Sequence, residues 1–257
     1  MKYAMMKKVL YVVLLFAVFS VSAMGQNATE CKLKADSAYV SEDYASAIKL
    51  YENLLKSGEA AEIYYNLGNC YYKTKDIARA ILNYERALLL RPDNADIRAN
   101  LDIARSKTVD KINMIPEIFF ISWTKSLINS FSIDSWAKIA VISFWLFLLF
   151  ICLFLVSKQS KWKKTGFFAG IIFMILSISS NIFANAQKDN LLNRHEAIIL
   201  APSVTVRSTP SENGTSLFIL HEGRKVKVKD NSMRDWKEII LEDGKVGWLA
   251  TSTIEFI

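Results

Sequence analysis

Cysteine and histidine are scarce in this chain of 257 residues: three cysteines, Cys31, Cys70 and Cys152, and two histidines, His195 and His221. No two cysteines form a CxxC pair, so a structural zinc site, which needs several closely spaced sulfur or imidazole ligands, is not expected. Cys152 lies in an apolar run and reads as a small hydrophobe. Cys31 and Cys70 are the pair that could meet as a disulfide in an oxidising compartment. Catalytic signatures are missing too. No GxSxG, HExxH or phosphate-loop pattern accompanies the histidines, and Glu62, Asp76 and Asp96 fall at ordinary helix-surface positions. Hydrolysis by a carboxylate pair is the enzymatic alternative left open. The expectation is a protein that is not an enzyme and needs no cofactor.

Acidic residues are absent from residues 1–25, which carry three lysines, and nearly absent from 136–193, which carry six lysines and one aspartate. Residues 26–135, with 14 basic and 15 acidic groups, and 194–257, with nine of each, are close to neutral. The formal charge of +7 therefore sits beside apolar segments. A nucleic-acid binder concentrates positive charge on a folded face, so nucleic acid is not an expected partner. The charge is a topology signal instead.

Lys2, Lys7 and Lys8, the apolar run Val9 to Val21 and the small residues of Ala23-Met24-Gly25 read as a signal peptide over 1–25. An uncleaved anchor helix is the alternative. Ile139 to Val156 is uncharged, and counted from Trp136 it makes about 31 Å of helix, enough to cross a bilayer core. Thr165 to Gln187 is a second uncharged run. The expectation is transmembrane helices over 136–157 and 165–187. The four lysines of the loop 158–164 between them place it in the cytoplasm, so both flanking domains lie on the exported side. Gly166 and Gly170 form a GxxxG that could let the helices approach. Neither span has an ionisable residue in its core, which leaves no candidates for a proton or ion pathway. Ahead of them, 108–135 reads as an amphipathic linker lying in the interface, with Phe120, Trp123, Leu127 and Phe131 set against Glu117 and Lys125.

Residues 26–107 contain internal repetition. The run Asp43 to Glu52 aligns with Asp76 to Glu85 at an offset of 33 residues, close to the period of about 34 of the tetratricopeptide repeat. Tyr64, Leu67, Gly68, Tyr71, Ala80, Tyr84, Ala87 and Pro92 resemble that family's signature in order. Gly68 and Ala80 are small where antiparallel helices approach, Tyr71 and Tyr84 fill the space around them, and Pro92 stops the second helix. The first copy departs, with Ala35 for the glycine and Ala38 for the tyrosine. A polar capping helix is expected from Ala95 to Lys107. The resemblance implies a protein-binding groove lined by Lys32, Tyr65, Asn66, Asn69 and Tyr72. Lys32 and Asn66 match two positions of a carboxylate clamp, but Asp36 stands where that clamp wants an amide, which argues against a carboxylate ligand.

After Lys188 the pattern becomes short alternating runs. Strands are expected at Glu196–Ala201, Val204–Arg207, Ser216–Leu220, Arg224–Lys229, Trp236–Leu241 and Lys245–Ala250, with a hairpin at Asp243-Gly244. So many strands in 194–257 imply a small closed barrel. The Lys225–Lys229 stripe reads as its solvated face. Val204 to Pro210, Glu222-Gly223, Trp236 and Gly244-Lys245-Val246-Gly247-Trp248 resemble a bacterial SH3-type domain. Some such domains bind peptidoglycan, for which Trp236 and Trp248 could form an aromatic shelf; a structural role for both is the plainer reading.

The fold class expected is thus a multidomain membrane protein: all-α tetratricopeptide repeats, two transmembrane helices and an all-β SH3-like barrel. In that order the parts resemble the BatE-type proteins of the Bacteroides aerotolerance group over essentially the full length. The resemblance implies a bacterial inner-membrane protein with both soluble domains periplasmic. It implies partnership with membrane-anchored von Willebrand A-domain proteins, indirectly a MoxR-type ATPase, and a role in envelope or oxidative stress. Two functions follow as expectations: a scaffold that binds proteins through its repeats, or a cell-wall sensor or tether whose barrel binds peptidoglycan.

Overall fold

The computed structural model describes residues 29–110 and 119–257. The expected signal peptide, 1–25, and the linker residues 111–118, with Glu117 among them, lie outside the described residues. The described residues begin with helices: α1 over 29–40, α2 Tyr44–Leu55, α3 Ala61–Lys73, α4 Ile77–Leu90 and α5 Ala95–Arg105. The α1–α2 and α3–α4 hairpins turn in the same way, 33 residues apart. Glu42 and Lys75 take left-handed φ values of 61° and 68°. Asp43 and Asp76 then cap the second helix, accepting from the Ser46 and Arg79 amides at 3.1 and 3.0 Å. Asn94 caps α5 likewise, through the Ile97 amide.

The repeat also holds inside the hairpins. Tyr51 and Tyr84 are buried, and Ala35 occupies in the first hairpin the place of Gly68 in the second. A Cβ on Gly68 would stand 2.7 Å from the Tyr84 ring, so α3 and α4 reach this separation only with glycine there. Ala35 is itself fully buried. The first copy therefore folds as a hairpin despite its departures.

Helix α6, Phe119–Ile128, leads to α7, Ile133–Val156, and α8, Ser160–Leu192. The last two form an antiparallel hairpin and are each long and apolar enough to cross a membrane. Their outer faces expose large apolar side chains, including Phe144, Trp145, Leu149, Phe168 and Ile172. Gly166 lies in the hairpin seam, where a Cβ would meet the backbone of Phe154 at 2.8 Å and of Phe150 at 2.9 Å. Gly170 is less constrained, its nearest neighbour being 3.9 Å away. Only Ser157, Lys158 and Gln159 separate the two helices, so Lys161, Lys163 and Lys164 of the expected loop stand on the first turns of α8. Charged side chains end an apolar run without ending a helix, since lysine is a good helix former. For the same reason α8 continues past Gln187 to Leu192.

Trp136 stands edge-on between Phe131 and Phe183, with both centroids 5.0 Å away. Its indole N–H donates to Ile128 O at 2.8 Å. Gln187 Nε2 donates to Ile128 O and to Phe131 O at 2.6 and 2.8 Å. Carbonyls at the C-terminal end of a helix lack intrahelical partners; these two side chains pin the end of α6 to the hairpin. The other end of α6 turns Phe119, Phe120 and Trp123 outward.

Seven strands complete the chain: β1 Glu196–Ile199, β2 Ser203–Arg207, β3 Ser216–His221, β4 Lys225–Asp230, β5 Trp236–Ile240, β6 Val246–Ala250 and, after a 3-10 turn at Thr251–Thr253, β7 Ile254–Phe256. Neighbours are antiparallel in the order β3-β2-β6-β5-β4-β1-β7. The ladder thus starts at β3 and ends at β7, where a closed ring was expected. Beyond the last paired rung, β1 stays joined to the lead-in of β4: Ile199 accepts from the Gly223 amide at 2.8 Å and donates to Arg224 O at 3.0 Å. The bent sheet encloses one core, in which Ala197, Val206, Leu220, Val226, Ile239, Leu249 and Ile254 pack together.

Candidate protein-binding groove

The five residues expected to line the groove all belong to α1 and α3 and are half-buried. Around Lys32 and Asn66 the centre is Asp36. Its carboxylate accepts from Tyr51 OH at 2.6 Å, Lys32 Nζ at 3.0 Å and, at the long limit, Asn66 Nδ2 at 3.5 Å. Lys32 also pairs with Glu62 at 3.0 Å. Burial works to raise the Asp36 pKa, but the Tyr51 and Lys32 hydrogen bonds outweigh it and hold the carboxyl below its usual range. Burial, reinforced by the Asp36 bond, pushes the Tyr51 phenol up.

The second centre is Asn69, which repeats Asp36 one period later. Asn69 Oδ1 accepts from Tyr84 OH at 2.7 Å and from Asn100 Nδ2 at 3.2 Å; Asn100 also donates to Tyr65 OH at 2.9 Å. Tyr72 packs against the α3–α5 core. The structure therefore gathers Lys32 and Asn66 about one carboxylate and Tyr65 and Asn69 about one amide. Lys32, flanked by two carboxylates within 3.0 Å, is not poised for a ligand's carboxylate. Among the described residues no group accepts from Asn69 Nδ2. Asn100 and Glu62 had no signal in the sequence, since neither occupies a signature position of the repeat.

Trp236 and Trp248 lie on the outer face of β5 and β6. The register pairs Trp236 with Ala250 and Glu238 with Trp248, so the indoles occupy diagonal positions on one face, each half-buried. The opposite face turns Ile239 and Leu249 into the core.

The sheet docks on α4, the side of the helical hairpins away from the groove. Ile198 and Ile257 join the core formed by Ile81, Leu82, Tyr84 and Leu101. Glu85 lies buried in this seam between Arg105 and Lys225, and Lys225 reaches Glu85 at 3.1 Å and Glu196 at 2.7 Å. Burial works to raise the Glu85 pKa; Lys225 and Arg105 outweigh it and hold the carboxyl below the usual range. Arg86 adds bonds to Glu255 at 2.9 Å and Phe256 O at 2.5 Å, and Asp110 accepts from the His221 amide at 2.7 Å. Arg194 Nη1 donates to Glu59 at 2.8 Å. Lys225 is thus a seam residue and not part of a solvated stripe; Lys227 is exposed and Lys229 pairs with Glu238. Cys31, Cys70 and Cys152 are free thiols.

Among known families, the tetratricopeptide repeat matches residues 32–98. That match spans the described α1 from Lys32, the hairpins and the first turn of α5. Such repeats are protein-interaction scaffolds. No curated protein matches the chain.

Proposed function

We propose that the chain is a non-enzymatic, membrane-anchored scaffold that binds protein partners through the groove of α1, α3 and α5. One observation carries this reading: the sheet occupies α4, leaving the groove face with a polar floor whose Asn69 Nδ2 has no described acceptor. The paired state of Lys32 favours a segment that offers backbone carbonyls or cations over one that offers a carboxylate. The uncharged runs of α7 and α8 and the lysines at their turn support a hairpin crossing the inner membrane from a periplasmic side. The resemblance to BatE-type proteins supports membership of an aerotolerance-type envelope or oxidative-stress complex, with membrane-anchored von Willebrand A-domain proteins as direct partners and a MoxR-type ATPase beyond them. On this reading residues 194–257, an SH3-type domain, brace the repeats.

Co-purification from membranes tests the proposal. The full-length chain is expected to retain an A-domain partner, and Asn69→Leu with Tyr65→Ala to lose it by at least tenfold while Trp248→Ala does not. Equal retention by the groove variant would sink it. The second reading, a peptidoglycan tether, is favoured by the shared outer face of Trp236 and Trp248. Retention of the full-length chain on sacculi, abolished by Trp248→Ala with the sheet still folded, would select it.

A further inference from the structure

A cleft of about 540 Å³ opens where α6, the end of α8, the helical repeats and the sheet meet. Ala186 and Gln187, the last residues of α8's uncharged run, form part of its wall, as do Ile128 and Asn129 at the end of α6. Its volume lies within the range of small-molecule sites, roughly 300–1,000 Å³.

Its electrostatics are one-sided. Five cationic side chains line it against two acidic ones, Glu85 and Glu196. Lys225 is answered by Glu85 and Glu196, and Arg194 by Glu59. Arg98 and Lys227 remain: among the described residues neither has a carboxylate within 4.0 Å, and Arg98's bond is to the neutral Pro92 O. Lys125 of α6 lies on the same wall. A second observation is independent of charge. Gln187 is 6% exposed, and while its Nε2 serves two carbonyls its buried Oε1 has no donor. The site therefore offers cations for an anion, and within its wall one buried acceptor that still lacks a donor.

We propose that this cleft binds the headgroup of an anionic, hydroxyl-bearing glycerophospholipid. Arg98 and Lys227 hold the phosphodiester, and Gln187 Oε1 accepts from a headgroup hydroxyl. This rests on the membrane-spanning reading of α7 and α8. The wall starts where α8's apolar run ends, and α6 turns Phe119, Phe120 and Trp123 outward beside it. In that reading the cleft lies at headgroup depth, so a bilayer lipid can enter it without leaving its leaflet.

The test uses the full-length chain in nanodiscs of phosphatidylglycerol and phosphatidylcholine, with retained lipid counted by native mass spectrometry. Wild type is expected to favour phosphatidylglycerol by tenfold or more. Each basic residue near a membrane surface is worth about fivefold, so Arg98→Gln with Lys227→Gln should fall to parity, while Lys245→Gln on the distant hairpin changes nothing. Phosphatidylmethanol, with the same charge and no headgroup hydroxyl, should bind more weakly than phosphatidylglycerol to wild type and equally to Gln187→Met. Parity in wild type, or an equal loss in Lys245→Gln, overturns the site. Equal binding of the two anionic lipids by wild type overturns the role of Gln187. Displacement by soluble glycerophosphoglycerol at equal concentration would assign the cleft to a free solute instead. Extraction of the chain from membranes by alkaline carbonate would overturn the membrane reading itself, a result distinct from embedded chains without lipid preference.

Discussion

Glu85 is buried, and its stability contribution depends on Arg105 and Lys225 remaining in place. Removing one member of a buried ion cluster leaves the others uncompensated, at a cost of about 3–5 kcal/mol. Glu85→Gln is therefore expected to lower the unfolding free energy of the repeats and sheet, measured by urea denaturation, by that amount at neutral pH. The acid response follows from the sign of the shift. A carboxyl whose folded pKa lies below its unfolded value, about 4.3 for glutamate, contributes stability above that value and loses it as pH falls through the folded pKa. The gap between wild type and Glu85→Gln should shrink between pH 5 and pH 3; a gap constant across that window would contradict the buried pairing. None of this was legible beforehand. Glu85 repeats Glu52 at the 33-residue period and reads as an outward helix position, and its partner Lys225 lies 140 residues away.

At the scale of elements, what could be read was local. The aspartate caps, the tyrosines and the small residues recur at a fixed period because each hairpin is built from contacts within some forty residues. The strands of the sheet were read from alternation, which β4 follows with Val226 and Val228 inside. Strand β7 was missed because three residues are too few to alternate. The length of α8 was missed because hydropathy marks where a helix leaves an apolar solvent, not where its backbone bonds stop. The GxxxG of α8 separates into unequal halves. Gly166→Ala would drive a methyl into the α7 backbone, which cannot rotate away, and should destabilise the hairpin by about 1–3 kcal/mol. Gly170→Ala meets only ordinary contact distances and should stay within about 0.5 kcal/mol of wild type. Denaturation of the two variants in micelles checks the contrast; equal effects would mean the hairpin packs elsewhere.

For the whole molecule, the seam between sheet and helices decides how the parts act together. One tight point in it is Gly223, where φ is +80° and a Cβ would stand 2.7 Å from Thr108 and 3.0 Å from Ile81. Gly223→Val is expected to lift the sheet from α4 while leaving the sheet core intact. Hydrogen exchange should then quicken at least tenfold in Ile81–Arg86 and stay unchanged in β5 and β6. Uniform quickening would show that the sheet cannot stand without the seam. Only Asn193, Arg194 and His195 lie between α8 and β1, and Arg194 is itself tied to Glu59. Helix α8, 33 residues and about 50 Å long, consequently meets the sheet across a joint of three residues. The end of α8 therefore fixes where the sheet begins, and through the seam the sheet is fixed against the repeats.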